Sequence, residues 1–477
     1  MASDSAQVMK KGLDPKWLVL AAVMAGSFMG PLDGSIVNTV LPEITRSFGT
    51  DISIAQWVPT VYLLTVSCLI LLYGRLGDII GYRKVFLIGL SCFTVASMLC
   101  GLSQSIWMLI GFRALQGLAA GMTMAVGIAI ITAAFPPRER GKALGIYAVS
   151  IAAALGLGPT LGGLIAEYLS WRYVFFVNVP IGLLAIFWCY RVVPQGVTKP
   201  GQRLDWYGAF TAFVFLASLL LFANRGQDWG WGSAAIISLL AVAVISAAAF
   251  LWVERRTEQP MLNLGLFKSR VFSFASLSAL VNFMALYALI FVTPFYLAYV
   301  LGFSILKVGL VMAAAPVATL FVAPLSGVLS DRIGTRPFAV GGMCICAVGL
   351  FLMSGLGAAS SVPDVIWRLV ICGIGSGMFQ SPNNSAIMGS VPVMRLGVAS
   401  GMISTMRTVG MVLGIAVVGA VLYNLAPVAA SGNLGQITGA DAGEFMDGLR
   451  WAYISGAIIA AIAAVTSLAA VTRHSEG

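Results

Sequence analysis

Gly74-Arg-Leu-Gly-Asp78-Ile-Ile-Gly81 returns 253 residues later as Gly327-Val-Leu-Ser-Asp331-Arg-Ile-Gly334. Both stretches lie between long apolar runs, and each closes on a glycine, the residue that tolerates the positive φ of a sharp turn. The agreement continues downstream. Gly141, Gly145, Gly158 and Gly163 are matched by Gly397, Gly401, Gly414 and Gly419, each at 256 residues. With 53 glycines in the chain a single match means little, but four in register beside an aspartate-bearing loop mark an internal repeat.

The apolar runs exclude a water-soluble architecture. Of 477 residues, 59% are apolar and 10% charged, with a mean hydropathy of +0.94; ordinary soluble domains carry roughly 25% charge. A secreted disulfide scaffold, a disordered chain and a cytosolic enzyme are ruled out together. A membrane helix needs about 20 mostly apolar residues, and fourteen runs qualify. Spans 1–6 and 9–14 are the two repeat units, while 206–224 and 233–253 are an inserted pair. The expected layout is a tail over 1–15, a six-helix bundle over 16–193, two inserted helices within 204–256 and a second six-helix bundle over 270–472. The first run is too long for a signal peptide and lacks a small-residue cleavage site, so it reads as a retained span.

Charge orients the spans. Twenty Lys and Arg fall on one side and six on the other, with Arg113 and Arg407 left inside spans. The positive-inside rule makes the crowded side, and both termini, cytoplasmic. The net charge of +10 is therefore a topology signal and no hint of nucleic acid. Both repeat units start on the cytoplasmic side, so the repeat is parallel. Two parallel six-helix bundles around a midplane site are the plan of a rocker-type secondary transporter. All seven cysteines lie in apolar runs without a C-x-x-C pair, and the single histidine, His474, is in the tail. Neither metal binding nor redox chemistry is expected.

Of eighteen acidic residues only Asp33 lies well inside a span. An intramembrane carboxylate costs about 2.5–3.5 kcal/mol on insertion scales, which makes it a candidate functional group. Pro31 and Gly34 weaken the helix around it. Asp33 is about eight residues, or ~12 Å, from the outer end of span 1, and Arg113 is about seven residues, or ~10 Å, from the same end of span 4. The two charges can share one level, with Gln116 one turn from Arg113. Burial disfavours a charged carboxylate and a guanidinium favours it, so small movements can switch protonation. The pair also reads as a structural tie between spans 1 and 4. Arg407 in span 13 has no acidic partner inside any span and can face a wet cavity, backbone carbonyls or substrate. Asp78 can accept from cations or a helix N-terminus, as a conformational latch or as plain turn chemistry beside topogenic charge. Gly158, Pro159, Gly162 and Gly163 in span 5 permit close helix contact and a kink.

These stretches carry a family resemblance. Gly74–Lys84 resembles motif A of the major facilitator superfamily, Arg113-Ala-Leu-Gln-Gly117 its motif B, and Gly158-Pro159-Thr-Leu-Gly-Gly163 its antiporter motif C. Leu32-Asp33-Gly-Ser-Ile-Val-Asn-Thr-Val-Leu-Pro42 is similar to the span-1 signature of the fourteen-helix drug:proton antiporter branch (EmrB/QacA-type). Trp171–Gly182 and the inserted pair fit that branch too. The resemblance implies an all-α polytopic membrane protein of the major facilitator fold that exports amphipathic compounds in exchange for protons by alternating access. It implies Asp33, Arg113 and Gln116 in proton coupling. Gly74, Asp78, Gly81, Arg83 and Lys84, with Asp331 and Arg332, would gate the cytoplasmic face, and span 5 would favour antiport. No cofactor is expected beyond the proton gradient as energy source. The expected location is a bacterial inner membrane, as a monomer, with a periplasmic adaptor left open.

Family members that pump dicationic antiseptics often carry further acids, whereas here span 2 has Thr60 and no C-terminal span holds a carboxylate. Neutral, anionic and monovalent substrates stay open. The expected pocket is lined by Phe28, Asp33, Trp57, Thr60, Tyr62, Asn282, Tyr287, Phe291, Phe379, Gln380, Asn383 and Arg407, aromatics and amides suited to greasy ligands with few polar groups. A proton symporter, or a dedicated metabolite or lipid exporter, would keep the same fold; the Gly-Pro motif of span 5 argues against symport. An integral-membrane lipid enzyme would need clustered His, Asp or Glu near one interface, and the spans offer none. No P-loop is present in the sequence.

Overall fold

The computed structural model describes residues 14–50, 52–195, 204–426 and 440–470. Most of the expected 1–15 tail, together with Lys10, Lys11, Lys199, Arg203, Arg473 and His474, lies outside the described residues. Fourteen described helices are long and apolar enough to cross a membrane. The main helix of each span, in chain order, is α1 (Pro15–Phe48), α2 (Trp57–Ile80), α3 (Tyr82–Gly101), α4 (Ile106–Ala134), α5 (Arg140–Tyr168), α6 (Asn178–Val192), α7 (Trp206–Trp229), α8 (Ala234–Arg256), α9 (Arg270–Phe295), α10 (Ala314–Ile333), α11 (Thr335–Met353), α12 (Val362–Gly389), α13 (Leu396–Leu425) and α14 (Ala440–Ala469); the sixth span begins earlier, at Tyr173, and the tenth at Lys307. The chain is an all-α polytopic membrane protein of two six-helix bundles and an inserted helix pair.

Local chemistry sets the helix ends. Pro15 occupies the first turn of α1, where its missing N–H costs nothing, and the Asp14 side chain accepts from the Lys16 N–H at 3.3 Å. The helix stops at Gly49, whose φ of 59° an L side chain would resist. Between these signals α1 runs unbroken across Pro31 and Gly34, so the expected weakening produces no interruption. Ser105 caps α4 by accepting from the Met108 N–H at 3.2 Å.

The repeat is visible in packing. α1 packs on α5 and α6, α2 on α4, and α3 on α4 and α6. The second half repeats every pairing: α9 packs on α13 and α14, α10 on α12, and α11 on α12 and α14. Across the halves α5 meets α10 and α2 meets α13, which are equivalent pairs under the repeat. Lipid is as apolar as leucine, so such contacts depend on close approach at small residues. The matched glycines provide it. Gly74 meets the backbone of Gly397, Gly327 meets the backbone of Gly141, and Gly145 lies against Ala323 and Pro324.

The inserted helices α7 and α8 pack on each other. α7 also contacts both α2 and α13, with Leu216 and Leu220 clustered with Cys68 and Val409. α8 is outermost, with Ile237, Val244, Ile245 and Trp252 all exposed, as a lipid-facing helix requires.

Candidate functional site

Asp33 and Arg113, placed at one depth by their distances from the helix ends, are joined by an ion pair between Arg113 Nη1 and Asp33 Oδ2. Both side chains are 0% exposed. The other carboxylate oxygen, Asp33 Oδ1, accepts from Gln116 Nε2 and from Asn178 Nδ2, each at 3.0 Å. Gln116 Oε1 in turn accepts from Arg113 Nη1 at 2.8 Å. Four side chains from α1, α4 and α6 thus form one closed network in which every member is buried. The guanidinium is further held by the Val58 carbonyl, which accepts from Nε at 3.3 Å, and by the Tyr62 ring, 4.0 Å from its carbon. A ring face stabilises a desolvated cation. Arg113 Nη2 makes no hydrogen bond, so its two N–H groups stay unspent inside the network.

Asn178, within the Trp171–Gly182 stretch, carries no expected role from the sequence. Its signal was available, because an amide in an otherwise apolar run is costly unless bonded. Here it donates both to Asp33 and to Ser97 Oγ at 3.0 Å. Tyr62, expected in the pocket, is buried against Arg113 and donates its hydroxyl to the Gly30 carbonyl at 3.1 Å.

The span-5 glycines seat α5 on α1 beside this network. A Cβ on Gly158 would strike the Ser35 side chain and stand 3.0 Å from the Ile36 nitrogen; one on Gly162 would lie 3.0 Å from the Ile36 carbonyl oxygen. Ser35 Oγ adds a hydrogen bond to the Leu155 carbonyl at 2.9 Å. Gly163 faces open space. Of Pro159 the backbone is helical, and its side chain is outside the described set. Overpacking of this kind costs about 1–3 kcal/mol. Gly158→Val is therefore expected to lower the melting temperature and cut transport, while Gly163→Ala changes neither; thermal unfolding and efflux measured on both variants check this.

At the charge-rich face the two aspartate loops do the same job crosswise. Asp78 at the end of α2 accepts from the Gly397 N–H at 2.8 Å and the Val398 N–H at 3.2 Å, and the Tyr82 hydroxyl donates to it at 2.7 Å. Asp331 at the end of α10 accepts from the Gly141 and Lys142 N–H groups at 3.0 and 3.1 Å. Each carboxylate caps the free N–H groups of a helix in the opposite half, α13 or α5, where the helix dipole favours negative charge. Gly81 and Gly334 turn the chain just beyond, with φ of 98° and 107°. Around them Arg83 lies over the Tyr190 ring, Lys84 is exposed, and Arg332 shares a cleft of about 420 Å³ with Lys16, Arg138 and Lys142. Further along α5 the halves part: a Cβ on Gly156 would find only the Pro316 side chain, 3.9 Å away.

The remaining expected pocket residues have these surroundings. Phe379 is 1% exposed within the C-terminal core, and Asn383 Nδ2 is spent on the Ala275 carbonyl at 3.1 Å. Trp57 packs under the Arg225 guanidinium at 4.6 Å, which brings α7 to the N-terminal end of α2. Gln380 donates to Ser376 Oγ at 2.8 Å, and Phe291 leans on Phe295. Phe28 is partly buried and Thr60 is 9% exposed. Tyr287 lies within electrostatic reach of Arg407, which is 8% exposed and has no ion pair among the described residues. Asn282 is fully buried with neither amide atom bonded.

Comparison with known proteins agrees with this fold. The family model for the Major Facilitator Superfamily matches residues 23–415. The multidrug resistance protein Stp of Mycobacterium tuberculosis (strain CDC 1551 / Oshkosh) is 35% identical over 85% of this chain and 75% of its own. The riboflavin transporter RibZ of Clostridioides difficile (strain 630) is 33% identical over 84% of this chain and 87% of its own. The tetracenomycin C resistance and export protein of Streptomyces glaucescens is 31% identical over 85% and 76%. Among solved structures, the human organic anion transporter MFSD10 (TETRAN) matches with a TM-score of 0.68 over 95% of this chain and 100% of its own, at 14% identity, a likeness of fold. With its fourteen spans and repeated halves, this chain is a transporter belonging to the Major Facilitator Superfamily.

Proposed function

We propose that the protein is a drug:proton antiporter of a bacterial inner membrane, exporting amphipathic small molecules by alternating access as a monomer without a cofactor. The observation that carries this reading is Asp33, one fully buried carboxylate gripped by Arg113, Gln116 and Asn178 from two other helices. Ionised Asp33 uses all of these donors. A proton on it releases the guanidinium and the amides, so proton occupancy and helix arrangement are linked. The paired aspartate caps hold the cytoplasmic ends together, and substrate entry from the cytoplasm requires them to open. Protonation from outside favours one orientation; substrate arriving from the cytoplasm favours release of that proton.

Phe28, Trp57, Thr60, Asn282, Tyr287, Phe291, Gln380 and Arg407 supply the substrate path, with Arg407 and Arg113 against one carboxylate disfavouring dications. The relatives named for multidrug and tetracenomycin resistance support a broad exporter. A second reading, a dedicated metabolite transporter, draws support from the relative named as a riboflavin transporter. Proton release from the purified protein separates the two, using tetraphenylphosphonium, a neutral amphiphile, cholate and riboflavin in turn. Release with several amphiphiles is the expected result, and release with riboflavin alone would favour the second reading.

A further inference from the structure

Two carboxylates outside the Asp33 network are buried at the cytoplasmic end of the inserted pair. Asp205, the cap of α7, is 7% exposed, and Glu254, in the last turn of α8, is 4% exposed. Each spends one oxygen on backbone. Asp205 Oδ1 accepts from the Gly208 N–H at 2.9 Å, and Glu254 Oε2 accepts from the Leu262 N–H at 3.0 Å. Their other oxygens, Asp205 Oδ2 and Glu254 Oε1, are buried and have no hydrogen-bond partner. Both point at the same glycine: a Cβ on Gly208 would stand 2.5 Å from Asp205 Oδ2 and 2.9 Å from Glu254 Oε1. Two bare acceptor oxygens facing one spot repel each other when both groups are ionised, and one proton on the pair relieves that repulsion.

Among the described residues one cation, Arg75, acts on Glu254 by charge. Arg75 from α2 is 7% exposed, its Nε is unpartnered, and it lies within electrostatic reach of Asp78, Glu254 and Arg395 without an ion pair to Asp78 or Glu254. No side-chain donor among the described residues meets the two bare oxygens.

We propose that Asp205 and Glu254 share a single proton drawn from the cytosol, forming a second ionisable site that ties the inserted helices to the Asp78 cap through Arg75. With the proton bound, the pair carries one negative charge, matched by Arg75. Without it, a second charge pulls Arg75 towards α8 and away from Asp78. The inserted helices then act on the cytoplasmic closure by charge, in addition to packing on α2 and α13. This link to the closure rests on the latch reading above, whereas the proton site itself does not.

Infrared titration of the purified full-length protein tests the site without any transport. Asp33→Asn serves as the background, so that the carbonyl stretch of a protonated carboxylic acid at neutral pH reports groups other than Asp33. Glu254→Gln and Asp205→Asn are each expected to remove the same band entirely, and the double variant to remove no more. A band that survives either single substitution, or two bands removed separately, overturns the proposal. Thermal unfolding of each variant confirms that the fold is kept. Arg75→Gln is expected to shift the pH range over which the band titrates; an unchanged titration overturns the link to Asp78 and leaves the carboxyl pair standing.

Discussion

Asp33→Asn is expected to abolish substrate-induced proton release and to uncouple transport from the pH gradient. Asparagine retains much of the local geometry. It is the same size, and its carbonyl can still accept from Gln116 and Asn178, which donate to Asp33 Oδ1. It cannot carry a proton on and off, and it leaves the Arg113 charge buried without its partner. An uncompensated buried charge costs about 3–5 kcal/mol, so the variant is also expected to melt at lower temperature. That loss could be mistaken for the whole effect. The double variant Asp33→Asn/Arg113→Gln separates the two, because it removes both charges and with them the desolvation penalty. Its stability is expected to recover towards that of the parent while proton release stays absent. If coupled transport returned with stability, the ion pair would be a structural tie between α1 and α4 and nothing more.

The second large effect is expected at the cytoplasmic closure. Asp78→Ala removes an acceptor from two N–H groups of α13 and from the Tyr82 hydroxyl. Losing a helix cap costs about 0.5–2 kcal/mol, and the charge at the helix N-terminus adds about 0.3–1 kcal/mol. Together these come close to the 1.4 kcal/mol that changes an equilibrium tenfold. Asp331→Ala acts on the equivalent α5 contact by the same mechanism. The two sites lie in different helix pairs, so their effects should add, to about a hundredfold for the double variant. A cysteine at Ser400, which is fully buried on α13, reads the population. In a background without the exposed Cys92 and Cys344, labelling from the cytoplasm by an impermeant maleimide is expected to be faster in either single variant than in the parent and fastest in the double variant. Equal labelling rates in all variants would show that the capped contacts do not hold the closure.

Much of the architecture was legible because lipid is an exacting solvent. It demands about 20 apolar residues per span, so α1 to α14 could be counted, and glycine spacing exposed the repeat whose interfaces Gly74, Gly141, Gly327 and Gly397 line. Depth along a helix is also readable, since 1.5 Å per residue turns position into level. That is why Asp33 and Arg113 could be paired on paper. Rotation about the helix axis is much harder to read. Tyr62 turns onto Arg113, and Asn383 turns onto the Ala275 carbonyl. Whether an aromatic or an amide meets ligand or a neighbouring backbone depends on a phase of a few tens of degrees that spacing alone leaves open. Asn178 and Glu254 were obscured for a related reason. One is uncharged, the other sits at a helix end where acids are ordinarily solvated, and only tertiary packing buries them.

The central claim is that Asp33 couples substrate movement to proton movement. Its most direct test is substrate flux in proteoliposomes of the purified protein, with a pH gradient imposed in each direction in turn. The account predicts that reversing the gradient reverses the net substrate flux in the wild-type protein, and that in Asp33→Asn/Arg113→Gln the flux ignores the gradient altogether. A flux that follows the gradient equally in both proteins would contradict it.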